Sequence, residues 1–228
     1  MRKICNYKHS RRSRCGNYTY SPRMTRETQT MNEEETRLRA LFARYAGQVV
    51  PTPECSDNDG GGTPAAVLVP LVRRESGLQV LLTQRSDALE HHAGQISFPG
   101  GRVEAEDASA VHTALREARE ETGLPPEAVE ILGELPQYRT TTGFSITPQV
   151  GIVTPPFTLR LQASEVAEAF ELPFARLCDP ARYRRISAFV PSLNEYRDYF
   201  EITCQGRTIW GATAGILWRL AGALRAQD

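Results

Sequence analysis

Three glutamates carry the chemistry this chain has to offer. They lie in the run Arg116-Glu117-Ala118-Arg119-Glu120-Glu121-Thr122-Gly123-Leu124. On a helix, Glu117, Glu120 and Glu121 stand at i, i+3 and i+4 and share one face. Like charges at that spacing repel, costing about 0.2–0.5 kcal/mol per pair. A divalent cation would turn that cost into a gain. Taken alone, such a cluster is most often a solvated helix face. Its setting argues otherwise: the pair Gly100-Gly101 precedes the helix, Gly123 ends it, and Arg116 sits one turn from Glu120 and can orient it. Magnesium takes hard oxygen ligands, usually a couple of carboxylates with phosphate oxygens and waters. Val111, Leu115 and Ala118 share a different face, suited to packing on a sheet.

The surrounding pattern shows what would hold this helix. Asn32 before Glu33, Glu34 and Glu35 reads as an N-cap with acids in the first turn. Leu38, Leu41, Phe42 and Tyr45 then recur at helical spacing, predicting a helix over 33–46 that ends at Gly47. Residues 51–64 form a loop rich in breakers. Stretches 65–73 and 78–84 read as strands joined at Glu75-Ser76-Gly77, and Ile96-Ser97-Phe98 leads into Pro99-Gly100-Gly101. The glutamate helix is expected over 108–122, stopped by Gly123 and Pro125. Strands are expected near 129–138, 145–154, 184–190, 197–203 and 206–210, with a short helix over 172–178 and a last helix over 212–225. Strands on both sides of a central helix indicate an α/β sandwich with a mixed sheet, one domain over 31–228. Ile216, Leu217, Leu220 and Leu224 make an apolar stripe that suits either core or an oligomer surface, and the oligomeric state stays open.

Composition narrows the class. The 228 residues are 40% hydrophobic and 24% charged, an ordinary globular balance. The most apolar stretch, Ile209 to Leu224, is too short for a membrane span and carries Arg219. The formal net charge is zero, yet residues 1–30 hold eight Lys or Arg against the single acid Glu27. That segment reads as a basic arm, a targeting peptide or residues upstream of the true start. It has no apolar h-region, which argues against a secretory signal, and Met31 is favoured as the functional start. Such an arm could touch nucleic acid nonspecifically, but no helix-turn-helix segment is visible. Cysteines 5, 15, 55, 178 and 204 show no CxxC spacing, so reduced thiols and a cytoplasmic setting are expected.

The segment Gly101–Leu124 resembles the Nudix signature, G-x5-E-x7-R-E-U-x-E-E-x-G-U with U aliphatic. Gly101, Arg116, Glu117, Glu120, Glu121, Gly123 and Leu124 match, and Ala118 stands in for U. Two departures occur: Asp107 replaces the first Glu, and eight residues rather than seven separate it from Arg116. Both are similar to the subgroup that cleaves coenzyme A. That subgroup has an upstream motif, L-L-T-x-R-[SA]-x3-R-x3-G-x3-F-P-G-G. Here Leu81-Leu82-Thr83-Gln84-Arg85-Ser86, Gly94 and Phe98-Pro99-Gly100-Gly101 follow it at the same spacing, with Glu90 in place of its second Arg. Ser164-Glu165-Val166, Phe170-Glu171-Leu172-Pro173 and Trp210-Gly211-Ala212-Thr213-Ala214-Gly215 resemble the subgroup too, so the likeness spans roughly residues 65–225.

The resemblance implies a Nudix-type α/β/α sandwich and hydrolysis of the coenzyme A pyrophosphate bond to 4′-phosphopantetheine and adenosine 3′,5′-bisphosphate, with Mg2+ or Mn2+ as cofactor. Glu117 and Glu121 would ligate the metal, with Glu120 sharing or bridging. Arg116 would hold a carboxylate in place, and Glu121 or Glu165 would be the general base. Arg85 could pair with a substrate phosphate; His92, Gln95, Phe98, Gly100 and Gly101 complete the expected binding loop. Tyr138 or Phe144 could stack on adenine, although aromatics on strands are more often core. His91 and His92 lack a third ligand for zinc. Two rivals stand: a Nudix hydrolase of ADP-ribose, a dinucleoside polyphosphate or a damaged nucleotide, and a non-catalytic nucleotide-binding regulator, which would tolerate lost carboxylates.

Overall fold

Alternation along one central strand sets the architecture. The structure, a computed structural model, describes residues 33–52, 61–87, 93–190 and 194–226. In chain order its helices and strands are α1 (Glu33–Arg44), β1 (Thr63–Arg74), β2 (Gly77–Arg85), β3 (Ile96–Ser97), β4 (Gly100–Arg102), α2 (Ala110–Thr122), β5 (Val129–Glu134), β6 (Tyr138–Arg139), β7 (Phe144–Val153), β8 (Val166–Pro173), α3 (Phe174–Leu177), β9 (Arg184–Val190), β10 (Glu195–Cys204), β11 (Arg207–Trp210) and α4 (Ala212–Arg225). Strand β1 is buried on both faces. Ala66, Leu68 and Val72 pack with Ala114 and Ala118 of α2, while Val69 and Leu71 join a larger core with Leu38 and Leu41 of α1 and Leu217 and Leu220 of α4. The sheet is therefore sandwiched between α2 on one side and α1 and α4 on the other, the expected α/β/α arrangement.

The main sheet runs β3-β2-β1-β7-β5, with β4 and β6 pairing β1 and β7 and with β8 on β2. It is mixed, because β1 pairs β7 in parallel and β2 antiparallel. Strands β9, β10 and β11 form a second, three-stranded antiparallel sheet, which the sequence pattern did not separate from the first. Arg207 joins the two: it forks onto Glu168 at 2.8 and 3.1 Å and lies 3.7 Å over the Phe170 ring. The apolar stripe of α4 is core, with Ile216, Leu217, Leu220 and Leu224 all buried. No helix among the described residues is long and apolar enough to cross a membrane. The basic arm at 1–30, Met31 and the Asn32 cap lie outside the described residues.

Helix α1 is pinned by a charge network at its first turn. The Glu35 carboxylate is almost fully buried and accepts from Arg39 at 2.9 Å and from Arg73 at 2.6 and 2.9 Å. Arg39 also forks onto Glu130 at 2.6 and 2.7 Å. Removing one partner of a buried pair strands the other, so Glu35→Ala should lower stability by about 3 kcal/mol in urea denaturation. The Arg73 hydrogen bond, despite burial, holds the Glu35 carboxyl below its ordinary value. Its contribution is thus present above that value and disappears as pH falls through the lowered one.

Candidate active site

Helix α2 is cut to length at both ends. The Ser109 hydroxyl accepts from the His112 N–H at 3.2 Å, and Gly123, in the left-handed region at φ 71°, donates its N–H to Arg119 at 2.8 Å. The helix therefore begins at 110 rather than at 108. Its buried face also differs from the expected one. Thr113, Ala114, Ala118, Glu121 and Thr122 are buried, whereas Val111 and Leu115 are half-covered. The cause is the close approach of the helix to β1 and β4, which admits alanine and threonine but leaves longer side chains at the margin.

That shift separates the three glutamates. Glu121 is 6% exposed, and its Oε2 accepts the Gly100 N–H at 3.3 Å. The Glu117 side chain is 15% exposed, and that of Glu120 is 54% exposed. They do not form one uniform solvated face. Burial, with repulsion from Glu117, pushes the Glu121 carboxyl up to about 8, and burial likewise raises Glu117. The backbone makes this crowding possible. Gly101 pairs with Ala66 and faces the helix, and a Cβ there would overlap the Glu117 carboxylate. At Gly100 a Cβ would stand 2.5 Å from the Ala66 carbonyl oxygen.

Arg116 is the hub between these groups. Its Nε and Nη2 fork onto Asp107 at 3.0 Å each, Nη1 lies 3.0 Å from both Glu117 and Glu120, and Nη2 also donates to the Arg102 carbonyl at 3.2 Å. The Asp107 side chain is almost wholly covered by its neighbours and accepts from Thr113 Oγ1 at 2.8 Å and from the Glu104 N–H at 3.0 Å. The fork to Arg116 holds the Asp107 carboxyl well below its usual range and raises the guanidinium in turn. Arg116 thus does more than orient Glu120: it is fixed by Asp107 and presents one nitrogen to two glutamates. Asp107, a departure from the signature at sequence level, is the anchor the sequence reading missed. The signal was a short acid shortly before the box arginine.

A loop from the far side completes the cluster. Arg160 and Gln162 donate backbone N–H groups to the Thr122 and Glu121 carbonyls at 2.7 and 2.9 Å, clasping the loop to the end of α2. Gly123 permits this, since a Cβ there would stand 2.9 Å from the Arg160 nitrogen. The clasp brings Glu165 close enough to raise both Glu121 and Glu117. The Gln162 amide donates to Glu165 at 3.0 Å, and the Ser86 N–H donates to the Glu165 carbonyl at 2.8 Å. Next to Ser86, Arg85 supplies a positive charge near Glu121. Among the described residues its buried Nε has no hydrogen-bond partner.

The remaining expected residues divide. The Gln95 carbonyl accepts from the Arg85 N–H at 3.0 Å, so that loop does back the cluster. Phe98 is buried in the main core and supports Pro99–Gly101 from beneath instead of facing a ligand. Tyr138 packs against Gly215, with Arg219 lying 4.8 Å over its ring, and Arg102 lies 5.3 Å over Phe144. Both aromatics already carry a guanidinium on one face. His91, His92 and Glu90 lie outside the described residues.

The model of the NUDIX domain matches residues 62–189, a span that holds Arg85, Asp107, Arg116, the three glutamates of α2 and Glu165. The chain belongs to the Nudix family. It is similar to the protein named uncharacterized Nudix hydrolase NudL of Escherichia coli K12, 46% identical over 164 residues, covering 69% of this chain and 80% of that protein. The NudL protein of Cronobacter sakazakii is 44% identical over 176 residues, covering 74% and 86%. Among solved structures, a C. elegans Ap4A hydrolase binary complex is 21% identical with a TM-score of 0.42, covering 50% of this chain and 81% of that one. The NUDIX domain of Shewanella oneidensis NrtR complexed with ADP ribose is 21% identical with a TM-score of 0.40, covering 58% and 83%.

The donor set of this Nudix hydrolase suits a hard divalent cation. Glu117 and Glu121 are oxygen donors whose mutual repulsion a cation would relieve, and both abut the Gly100-Gly101 turn. Among the described residues no three His, Cys, Asp or Glu side chains are grouped closely enough to hold a metal ion by themselves. Magnesium does not need such a group, since substrate oxygens and waters fill most of its shell. Gly101→Ala tests the geometry: a methyl group there must displace the Glu117 carboxylate. A displacement of about 1 Å at such a site costs roughly 10²-fold, so kcat should fall by about that factor while the melting temperature changes little.

Proposed function

We propose that this Nudix hydrolase cleaves the pyrophosphate bond of coenzyme A or its derivatives, giving 4′-phosphopantetheine and adenosine 3′,5′-bisphosphate. The observation that carries the reading is that Arg85, the arginine of the Leu81–Gly101 motif, and Glu165 both lie within electrostatic reach of Glu121, the buried glutamate beside Glu117. Glu117 and Glu121 would hold Mg2+ or Mn2+, with Glu120 reaching in from the rim. Bound there, the metal would neutralise phosphate charge and make water more acidic.

The side chains have separable roles. Arg116, fixed by Asp107, keeps Glu117 in place while the site fills and empties. Arg85 offers its guanidinium to a phosphate oxygen, an interaction that strengthens as charge gathers there. Glu165 is the favoured general base: its charge reaches Glu117 and Glu121, and among the described residues the Gln162 amide is the group that holds its side chain. The peptide clasp to the α2 terminus fixes the reach of Glu165. Glu121 is the less suited of the two, being committed to the Gly100 N–H and the metal. Free Cys178 and Cys204 fit the proposed cytoplasmic setting.

The substrate test compares coenzyme A, ADP-ribose and NADH in parallel, with products identified by mass spectrometry. Coenzyme A should show the highest kcat/KM. Faster turnover of ADP-ribose would assign the chain to the rival substrate class.

A further inference from the structure

We propose that Trp210, braced by Tyr199, is a stacking platform for the planar base of the substrate nucleotide. This rests on the reading of the chain as a hydrolase of nucleoside diphosphate derivatives. Trp210 ends β11 on the face opposite to Ile209, which is buried in the core. It is 42% exposed. Glu201 pairs with Trp210, so Tyr199, two residues along β10, shares this outer face. The Tyr199 ring meets the indole edge-on, with centroids 6.1 Å apart and planes at 63°. That contact fixes the indole without covering it, and an aromatic face held open in this way accepts any base by stacking.

Contacts tie this platform to the hydrolytic cluster. Trp210 is followed by Gly211, at φ 68°, where a Cβ would stand 3.6 Å from Gln95 Nε2. Two residues on, the Thr213 hydroxyl donates to the buried Ile96 carbonyl at 3.1 Å. The Gln95 carbonyl in turn accepts the Arg85 N–H at 3.0 Å, and the Arg85 charge reaches Glu121. Bond lengths and strand spacing put the Arg85 and Trp210 backbones roughly 15–20 Å apart along this path, and two long side chains shorten the gap. A nucleotide whose phosphates lie at Arg85 can thus lay its base toward Trp210.

The chain has two tryptophans, and the other, Trp218, is stacked on Phe200 at 4.2 Å, so emission changes can be assigned. The full chain, without metal, is titrated with AMP and, separately, with ribose 5-phosphate. AMP should quench tryptophan emission saturably and ribose 5-phosphate should not. The quench should persist in Trp218→Phe and vanish in Trp210→Leu. In turnover, Trp210→Leu should raise KM about tenfold with kcat changed by less than about twofold. Quenching that survives Trp210→Leu, equal quenching by both ligands, or an unchanged KM would overturn the proposal. So would self-association that depends on Trp210 with no AMP quench, which would assign the indole to a second copy of the chain. AMP binding needs no hydrolysis. A chain that shows the Trp210-dependent quench yet cleaves no pyrophosphate therefore keeps the platform and loses the hydrolase reading.

Discussion

Glu121→Gln should abolish hydrolysis, by about 10³-fold or more, and at the same time make the metal-free protein more stable. The loss follows because Glu121 is the most buried of the three α2 glutamates and would ligate the metal that neutralises phosphate charge and makes water more acidic. The stability gain follows from the electrostatics. Burial and the neighbouring Glu117 push Glu121 from the ordinary 4.5 to about 8. The folded chain thus holds this proton more tightly than the unfolded chain. The resulting stabilisation is complete below 4.5 and is lost as pH rises through about 8. At pH 9 the ionised carboxylate should cost on the order of 5 kcal/mol, which glutamine avoids. Thermal melts from about pH 5 to 9 should fall steeply for the metal-free parent and stay flatter for the variant. Added magnesium should raise the parent's melting temperature at the alkaline end and leave the variant nearly unmoved. Parent and variant curves of the same slope would contradict the burial and repulsion assigned to Glu121.

Arg116→Ala should be the second most damaging change, lowering kcat by about 10²-fold. Were Arg116 only a surface partner of Glu120, its loss would cost about 0.3–0.5 kcal/mol of stability and nothing in turnover. Its position says more: one nitrogen serves Glu117 and Glu120, while the rest of the fork is locked onto Asp107. Without it, Glu117 loses the group that holds it against Gly101, and Asp107 loses the guanidinium it is forked to. Arg116→Lys should rescue little, because a single ammonium cannot both bind Asp107 bidentately and reach Glu117. Asp107→Asn, which keeps the shape and weakens the fork, should fall between, at about tenfold. Steady-state kinetics across a magnesium titration separates the outcomes. Recovery of full kcat at high metal would mean that Arg116 serves metal affinity alone.

Some of this was legible in residue spacing and some was not. Helix α4 was expected over 212–225 and spans Ala212–Arg225, because a continuous apolar stripe and the flanking Gly211 mark both its length and its start. Strand β8, Val166–Pro173, was missed. Its Ala, Glu and Leu are good helix formers, and the expected helix over 172–178 shrinks to Phe174–Leu177. Pairing with β2 over Gln79–Arg85 overrides that local preference. The expected strand over 129–138 divides at Pro136, leaving Val129–Glu134 and Tyr138–Arg139. In the site, the spacing of Glu117, Glu120 and Glu121 established a shared side of the helix but not its depth. Depth depends on β4 passing beneath α2 through two glycines, a long-range contact that no local periodicity encodes. The role of Asp107 was hidden for the same reason: it binds Arg116 across a loop, out of helical register.

The most direct measurement is the hydrolysis of coenzyme A by the purified full chain, with magnesium and with excess chelator, read by separating the products. The account predicts 4′-phosphopantetheine and adenosine 3′,5′-bisphosphate in equal amounts with magnesium, none with chelator, and almost none from Glu121→Gln. Products formed equally well in chelator, or by the Glu121→Gln protein, would contradict it.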